Sequence, residues 1–143
     1  MKRKIYSILT LLLGLVIGLF MLVACDQQGS AKAEILSKTD TMVVIKVNET
    51  EGFATLIDAM NYLKDEGALN FEISGGMVTE IEGKANALDW SACWMVYTSD
   101  KEMSNEEWGT LEYEGTVCAS AIVGAEELPV GVGEYYVWLY KSF

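Results

Sequence analysis

Residues 53–67, FATLIDAMNYLKDEG, carry the strongest helical pattern in this chain of 143 residues. Thr55 followed three residues later by Asp58 is the pattern of a capping box, which satisfies free backbone N–H groups at the start of a helix. Gly67 is the residue type that commonly ends a helix. The apolar residues recur at the i, i+4, i+7 spacing of one helix face: Leu56, Met60 and Leu63. We therefore expect one amphipathic helix whose apolar face packs on a sheet.

The segments around this helix are rich in β-branched and aromatic residues, which favour strands. The predicted strands are Thr41–Val47, Phe71–Ser74, Met77–Ile81, Trp94–Thr98, Thr116–Val123 and Tyr135–Tyr140. Gly75-Gly76 joins two of them and predicts a tight hairpin. The polar runs Lys101–Trp108 and Glu126–Gly133 predict loops. One helix packed on a mainly antiparallel sheet defines an α+β domain.

The last predicted strand, YYVWLY at residues 135–140, has one aliphatic and one aromatic face. Because side chains alternate along a strand, Val137 and Leu139 share one face, which we expect to pack on the helix. The opposite face is aromatic, and aromatic residues at positions 90–97 are expected to join it. Six aromatic residues are therefore candidates for ligand binding: Trp90, Trp94, Tyr97, Tyr136, Trp138 and Tyr140. The pattern alone leaves open whether loops of the same chain cover this face.

The first 25 residues have the organisation of a secretory signal that ends in a cysteine. A basic start at residues 2–4 precedes an apolar run at Ile5–Val23, and polar residues begin at Asp26. Leu22-Val23-Ala24-Cys25 resembles the lipobox of bacterial lipoproteins, which implies cleavage before Cys25 and attachment of lipid to its thiol. The alternative is an uncleaved transmembrane anchor, because nineteen apolar residues just span a bilayer. Both interpretations place the domain on the extracytoplasmic face of the cell membrane.

Three segments follow from this pattern. Residues 1–24 are the predicted signal peptide, residues 25–40 a lipidated tether, and residues 41–143 one domain. The tether is expected because its residues are mostly polar and small, and when fully extended it reaches roughly 50 Å. The domain is long enough to build one hydrophobic core.

The net charge of the chain excludes some partners. It is −11 at neutral pH, and loss of the three basic residues of the signal takes the mature part to −14. Such acidity repels the phosphates of nucleic acids and the head groups of anionic lipids. We therefore expect no nucleic-acid partner, and a membrane attachment that comes from the lipid anchor rather than from surface charge.

The residues of common catalytic and metal sites are missing from the sequence. The chain has no histidine, which removes the most frequent general base and zinc ligand. No nucleophile elbow, phosphate loop, dinucleotide fingerprint or zinc spacing is present. The carboxylate pairs Glu106-Glu107 and Glu126-Glu127 lie in predicted loops, where solvated surface charge explains them. We therefore expect that the protein is not an enzyme and holds no metal.

Cys93 and Cys118 are the two cysteines of the predicted domain. Export places them in an oxidising compartment, and strand-like segments contain both or lie next to them. A bridge that closes about 25 residues would stabilise the fold by roughly 3 kcal/mol in the chain-entropy model. We expect this disulfide, and two buried free thiols are the alternative.

Four motifs resemble, in the same order, those of the transcobalamin C-terminal-like domain, which many bacterial lipoproteins contain. Residues 53–60 (FATLIDAM) resemble its helix opening, and residues 78–83 (VTEIEG) resemble its strand that ends in an I-x-G turn. Residues 94–97 (WMVY) resemble its W-x-x-Y strand. Residues 133–140 (GEYYVWLY) resemble its closing Gly-acid turn and x-W-x-Y strand. The resemblance covers the chain from Thr41 to its end.

The resemblance implies a β-grasp-like fold and a binding surface for a corrinoid. The related domain of animal carriers closes over one side of cobalamin through apolar and aromatic contacts. Carried over to this chain, these contacts fall on Trp94, Tyr97, Trp138 and Tyr140. Two segments depart from the family pattern: Thr98-Ser99-Asp100 replaces an Asn-Gly, and Trp108–Val117 has no counterpart. The chain also lacks the large helical domain that forms the second wall of the vitamin site in the animal carriers.

From these observations we expect a membrane-anchored extracellular lipoprotein that binds a ligand without changing it. The expected ligand is a corrinoid such as cobalamin, taken up through a vitamin transporter component in the same membrane. The alternative is a cell-surface module that interacts with a protein or a glycan and has no small-molecule ligand.

Overall fold

The computed structural model describes Ser30–Phe143, so the predicted signal peptide and Cys25 lie outside the described residues. The described residues form nine strands and one helix. No helix among these residues is long and apolar enough to span a membrane. In chain order the elements are β1 (Ala33–Lys38), β2 (Met42–Val47), α1 (Leu56–Asp65), β3 (Phe71–Ser74), β4 (Met77–Ile81), β5 (Lys84–Ala85), β6 (Ala92–Thr98), β7 (Ser104–Tyr113), β8 (Thr116–Ala121) and β9 (Tyr135–Ser142). The predicted α+β class is confirmed.

The large sheet has six strands in the order β1-β2-β9-β6-β8-β7, and every neighbouring pair is antiparallel. Strand β9 lies inside it: Tyr136 pairs with Ile45 of β2 on one side and with Thr98 of β6 on the other. Successive residues of β2 and β9 are apolar because both faces of these strands are buried. A separate antiparallel sheet has the order β3-β4-β5 and includes the predicted Gly-Gly hairpin.

Strand β1 lies inside the segment that the sequence predicted to be a tether. It pairs with β2, and Ala33 at its start is buried. The folded unit therefore begins at residue 31 rather than at residue 41. The polar composition misled the prediction because β1 is an edge strand, where several side chains stay in contact with solvent.

Strand β7 replaces much of the loop that was predicted at Lys101–Trp108. It forms the other edge of the large sheet. Four residues, 106–109, are inserted between Asn105 and Thr110, whose partners in β8 are consecutive residues. Polar and acidic residues predominate in this segment because an edge strand buries little surface and is protected by charge from pairing with other chains. That composition is also typical of a loop, which explains the wrong prediction.

Helix α1 begins and ends as its sequence predicts. The Asp58 carboxylate accepts hydrogen bonds from the N–H groups of Ala54 (2.8 Å) and Thr55 (3.0 Å), and the capping box is formed. Gly67 follows the helix with a φ of +72°, a conformation that glycine adopts at little cost. The buried face of the helix consists of Leu56, Ala59, Met60 and Leu63.

The segment Ala125–Gly131 ties the helix to the middle of the large sheet. Two N–H groups in the first turn of α1 donate to two carbonyl oxygens of this segment, at 2.8 Å and 3.0 Å. At its other end the hydroxyl of Tyr136 donates to the carbonyl of Pro129 (3.2 Å) and accepts from the N–H of Gly131 (2.9 Å). Tyr136 is fully buried, so these two bonds satisfy a hydroxyl that water does not reach.

The two faces of β9 are buried in the opposite way to the prediction. Tyr136 and Trp138 lie in the main core with the buried face of α1, whereas Val137 lies on the other face of the sheet with Tyr97 and Cys118. The helix, the small sheet and the loop after β8 form a thick layer on the first side, and such a layer buries surfaces as large as aromatic rings. On the second side, every member of the cluster lies on a strand of the large sheet, so its outer side chains stay partly exposed.

The phenol of Tyr136 makes the stability of the fold sensitive to alkaline pH. Burial raises its pKa from the ordinary value of 10 to about 12. The neutral phenol therefore stabilises the fold fully below pH 10, where the unfolded chain also keeps its proton. This contribution is lost as the pH rises through about 12.

Tyr136→Phe is expected to lower the free energy of unfolding at neutral pH by about 1–3 kcal/mol, because Pro129 and Gly131 lose a hydrogen-bond partner. Between pH 10 and about 12 the variant is expected to lose less stability than the wild type, since no phenol ionises at this position. Urea unfolding followed by circular dichroism at both ends of this range measures the difference. Tyr62→Phe is the control, because Tyr62 is half-buried against Phe53. Equal alkaline losses in wild type and Tyr136→Phe would contradict the assignment.

Candidate functional site

Three of the six aromatic candidates meet at one cleft of about 200 Å³, which we name the Trp90 cleft. Trp90 stands at its rim, 53% exposed, whereas Trp94 and Trp138 form its floor and are 5% and 3% exposed. The cleft is lined by Gly76, Met77, Val78, Asn86, Trp90, Cys93, Trp94, Met95, Val96, Ala121, Val123, Gly124, Ala125 and Trp138. Most of these groups are apolar, so the cleft suits an apolar ligand group.

The structure does not bring the other three candidates to the cleft surface. Tyr140 packs edge-on against Trp94, with ring centroids 5.3 Å apart, and so supports the floor. Tyr136 is fully buried in the core. Tyr97 lies on the opposite face of the sheet, close to Gly109 of the β7 bulge. Trp94 and Tyr97 are three positions apart on one strand, and an odd spacing places them on opposite faces.

Hydrogen bonds within the chain fix the floor and one wall of the cleft. The Trp94 indole Nε1 donates to the carbonyl of Lys84 at 2.7 Å. The Asn86 side chain accepts from the backbone N–H of Trp94 (2.8 Å) and donates to the carbonyl of Val78 (3.2 Å). Asn86 therefore links β6 to β4, and the polar atoms of its side chain hold this wall of the cleft in place.

Trp90 is held at the rim in a backbone conformation that is rare for a large residue. Its φ is +61°, in the left-handed region. Its N–H donates to the carbonyl of Ala87 at 3.0 Å. The following residue, Ser91, donates two hydrogen bonds to the Asp89 carboxylate, one from its hydroxyl (2.7 Å) and one from its backbone N–H (3.1 Å). These bonds lower the pKa of Asp89. Strained residues persist where their surroundings enforce them, and they cluster at binding sites.

The tip of the β3–β4 hairpin forms a second wall. Gly75 and Gly76 have φ values of +59° and +80°, as a tight turn between antiparallel strands requires. The turn is followed by Met77, which lines the cleft and is 51% exposed. The Glu126 carboxylate lies beside this wall, with its Oε2 3.2 Å from the position that a Cβ would take at Gly76. The rim is therefore apolar with one carboxylate next to it.

Trp138 has an indole N–H without an acceptor. Among the buried side-chain nitrogen and oxygen atoms of the described residues, its Nε1 is the one that lacks a hydrogen-bond partner. A buried tryptophan N–H usually finds an acceptor, so this atom is an exception that calls for an explanation. This donor has almost no accessible surface, so it lies within the packed core and does not face the open space of the cleft.

Sequence analysis did not identify the walls made by Met77, Asn86 and the segment Val123–Ala125. Met77 directly follows a two-glycine turn, and an apolar residue at a hairpin tip is a usable signal for an exposed contact. Asn86 carries no such signal, because its role depends on bonds to strands that are distant in the sequence.

The predicted disulfide between Cys93 and Cys118 is wrong, since both thiols are free. The register of β6 and β8 places Cys118 opposite Ser99, six residues from Cys93. Six residues along a strand span roughly 20 Å, whereas bridged cysteines have Cα atoms within about 7 Å. Both cysteines do lie on strands, but composition does not reveal the register. Burial raises the pKa of Cys118 to about 11 and also raises the pKa of Cys93.

Within residues 30–143, no group of three or more carboxylate or cysteine side chains is placed to hold a metal ion. Comparison of the chain with protein-family models, curated proteins and solved structures finds no match in any of the three. The resemblance to the transcobalamin C-terminal-like domain therefore stays a prediction that rests on its motifs. The Trp90 cleft is the feature of the described residues that points to a function.

Proposed function

We propose that the protein is a membrane-anchored extracellular binding lipoprotein, attached through lipid on Cys25, that holds an apolar ligand in the Trp90 cleft. The observation that carries this proposal is the exposed apolar rim, where Trp90 and Met77 remain half-exposed above a floor of buried tryptophans. Exposed large apolar groups that border a cleft mark binding sites. The bonds that fix the cleft walls prepare the site before the ligand arrives, which lowers the entropy cost of binding.

A corrinoid is the ligand that the family resemblance favours, and aromatic walls suit its flat, largely apolar edges. The cleft volume of about 200 Å³ admits only part of such a ligand. The remainder would need cover from a second surface, such as a vitamin transporter component in the same membrane. The protein would then bind and deliver its ligand with no covalent step.

The place of the cleft in the fold supports this arrangement. The chain enters the sheet at Ala33, which pairs with Val47 near the start of β9. Trp90 lies just before Ala92, which pairs with Ser142 at the end of β9. These ends are roughly 25 Å apart along the strand. Ligand binding would therefore take place far from the point where the tether joins the domain.

The finer fold assignment, β-grasp-like, also belongs to the proposal. The order of the elements supports it. A hairpin of β1 and β2 comes first, one helix that packs on the sheet follows, and later strands complete that sheet.

A second candidate function is a surface module that binds a protein or a glycan. Trp108 favours it, because this residue is 57% exposed on the β7 bulge together with Glu106 and Glu107. Exposed tryptophan is enriched at interaction hot spots.

Trp90→Ala is expected to weaken the binding of cyanocobalamin by about fivefold or more, because the substitution removes one aromatic contact at the rim. Trp108→Ala is the matched control, since it removes an equally exposed tryptophan away from the cleft. Equilibrium dialysis of residues 26–143 with cyanocobalamin measures both dissociation constants. Trp94 and Trp138 are unsuitable for this test because their substitution by alanine would cost about 3–5 kcal/mol of core packing.

Saturable binding that Trp108→Ala weakens and Trp90→Ala does not would move the cyanocobalamin site to the β7 bulge and contradict its assignment to the Trp90 cleft. Absence of saturable binding in the wild type would show that the domain alone does not hold cyanocobalamin.

The lipid anchor has its own test. In a bacterial host, the full chain is expected to partition into the detergent phase of a Triton X-114 extract, since two acyl chains anchor a protein stably. Cys25→Ser is expected to abolish lipidation, because the thiol that accepts the lipid is removed. Cys93→Ser is expected to leave lipidation unchanged. Mass spectrometry should find Cys25 as the first residue, carrying lipid. A wild-type chain that retains residues 1–24 would establish the uncleaved anchor instead.

A further inference from the structure

We propose that the β3-β4-β5 sheet and the loop after it form a docking surface for a protein partner, whose contact region presents an apolar side chain among basic residues. We name this surface the Leu88 patch: it is a depression of about 280 Å³, lined by residues of that sheet and of the loop 86–90. The inference rests on the proposed function, in which a second surface covers the part of a ligand that the Trp90 cleft leaves open. It adds where that surface docks and which chemistry it carries.

The exposed apolar side chains of the loop are the observation that carries the proposal. Leu88 is fully exposed and Trp90 is 53% exposed, and both line the patch together with Ala85 and Ala87. A single exposed leucine is ordinary on a protein surface, but a leucine and a tryptophan in one depression form a larger apolar area. Tryptophan is also among the residues that contribute most to binding at protein interfaces. The patch therefore has the apolar centre of an interface.

Hydrogen bonds fasten the loop to both sheets, so its apolar side chains are presented without a partner to order them. The N–H of Asn86 donates to the carbonyl of Thr79 in β4 at 2.8 Å, and the N–H of Ala87 donates to the carbonyl of Ala92 in β6 at 2.8 Å. The N–H of Trp90 closes the turn on the carbonyl of Ala87. A surface that is ordered before binding loses less entropy when its partner docks.

Two carboxylates beside the apolar area determine the charge of the partner. Glu72 and Glu80 are directly opposite each other in the pairing of β3 with β4, and both line the patch. Like charges in this position repel each other. The Lys64–Glu72 ion pair spans 3.8 Å between exposed side chains, so it offsets little of this repulsion. Basic side chains of a partner would relieve it, which favours lysine or arginine around the apolar side chain that docks.

Neighbouring residues do not supply this positive charge. Among the described residues that line the patch there is no lysine or arginine. Lys84 directly precedes Ala85 in β5, but its Nζ lies 4.3 Å from the ring centroid of Tyr140. Asp89 in the loop adds a third carboxylate next to Leu88. The apolar area is therefore bordered by negative charge.

The exposure of Leu88 favours a protein over a small molecule or a lipid surface. A small molecule in the depression would leave a fully exposed leucine largely uncovered, whereas a protein surface covers both. A protein interface has an apolar centre and a polar or charged rim, which is the arrangement of the Leu88 patch. The carboxylates would be repelled by the head groups of anionic lipids.

Trp90 joins the two places, because it lines both the Leu88 patch and the Trp90 cleft. A protein docked on the patch would therefore stand next to the cleft and supply the missing cover of a bound ligand. Leu88 lines the patch but not the cleft, so its substitution separates docking from ligand binding.

The test uses three short, acetylated and amidated peptides as probes on ¹⁵N-labelled residues 26–143. The first has one leucine between lysines, the second has serine in place of the leucine, and the third has glutamates in place of the lysines. Phosphatidylcholine vesicles are a fourth probe. The backbone N–H resonance of Leu88 and the indole N–H resonance of Trp90 report contact with the patch, and they are assigned from the variants Leu88→Ala and Trp90→Phe.

The lysine–leucine peptide is expected to move both resonances until they saturate. The lysine–serine peptide is expected to bind about fivefold more weakly, because it lacks the apolar contact. The glutamate–leucine peptide is expected to leave both resonances unmoved, because the carboxylates of the patch repel it.

Matched variants locate the contact. Leu88→Ala is expected to weaken the binding of the lysine–leucine peptide about fivefold, whereas Val132→Ala, which truncates another exposed apolar residue, should not. Glu80→Gln is expected to weaken it about threefold. Glu49→Gln removes an exposed carboxylate beside the start of β1 and should have no effect.

Several results would overturn the proposal. Equal binding of the lysine–serine and lysine–leucine peptides would show that charge alone acts and that the apolar area is not a contact. Equal binding of the glutamate–leucine peptide would contradict a basic partner. A lysine–leucine peptide that leaves both resonances unmoved would contradict the docking surface, and if vesicles move them instead, the occupant is lipid.

Equilibrium dialysis with cyanocobalamin separates this inference from the proposed function. Leu88→Ala is expected to leave the dissociation constant of cyanocobalamin unchanged, because Leu88 does not line the cleft. Cyanocobalamin binding without peptide binding would contradict the Leu88 patch and leave the cleft as the ligand site. Peptide binding without cyanocobalamin binding would support the patch and show that the domain alone does not hold the corrinoid.

Discussion

The burial of Tyr136 in the large sheet is the interaction on which the rest of the domain depends. Its ring lies in the main core, and its hydroxyl bonds to the Ala125–Gly131 segment. That segment in turn accepts the hydrogen bonds of the first N–H groups of α1. One side chain therefore links the central strand, the loop after β8 and the start of the helix. The first residue of the Ala125–Gly131 segment, Ala125, also lines the Trp90 cleft. The interaction that buries Tyr136 therefore also positions one wall of the cleft.

The cleft exists because the layer over the large sheet is incomplete. The helix and the loop cover Tyr136 fully, whereas Trp94 and Trp138 keep a small accessible area, 5% and 3%, at the floor of the cleft. The two rings face a gap between the hairpin tip and the Trp90 loop. A domain that bound nothing at this place would be more stable if larger side chains filled the gap. The open, apolar gap next to a strained Trp90 is the feature on which the proposal of a bound ligand rests.

The local structure was predictable where neighbouring residues determine it. The capping box of Thr55 and Asp58, the glycine that follows the helix and the Gly75-Gly76 hairpin all depend on residues a few positions apart. Edge strands were harder, because their polar composition is also that of loops and tethers. For this reason β7 was predicted as a loop, and β1 was assigned to the tether.

The candidate site was predictable only in part, because it depends on contacts between distant strands. The alternation of β9 correctly separated its aromatic from its aliphatic residues. It could not show which face the helix covers, and the structure reverses the expected choice. Register is equally invisible, so the cysteines that sequence analysis paired lie far apart. Of the six aromatic candidates, three line the cleft, and the walls made by Met77, Asn86 and Val123–Ala125 were found only from the structure.

The solvent exposure of the four tryptophans tests most directly whether the aromatic face of β9 is the core face. In protein labelled with 5-fluorotryptophan, the ¹⁹F shift between H₂O and D₂O measures the exposure of each ring. A large solvent shift is expected for Trp90 and Trp108 and almost none for Trp94 and Trp138, because the aromatic face of β9 is the core face. A large solvent shift for Trp138 would show that this face is open to water. That result would contradict both the arrangement of the core and the cleft built upon it.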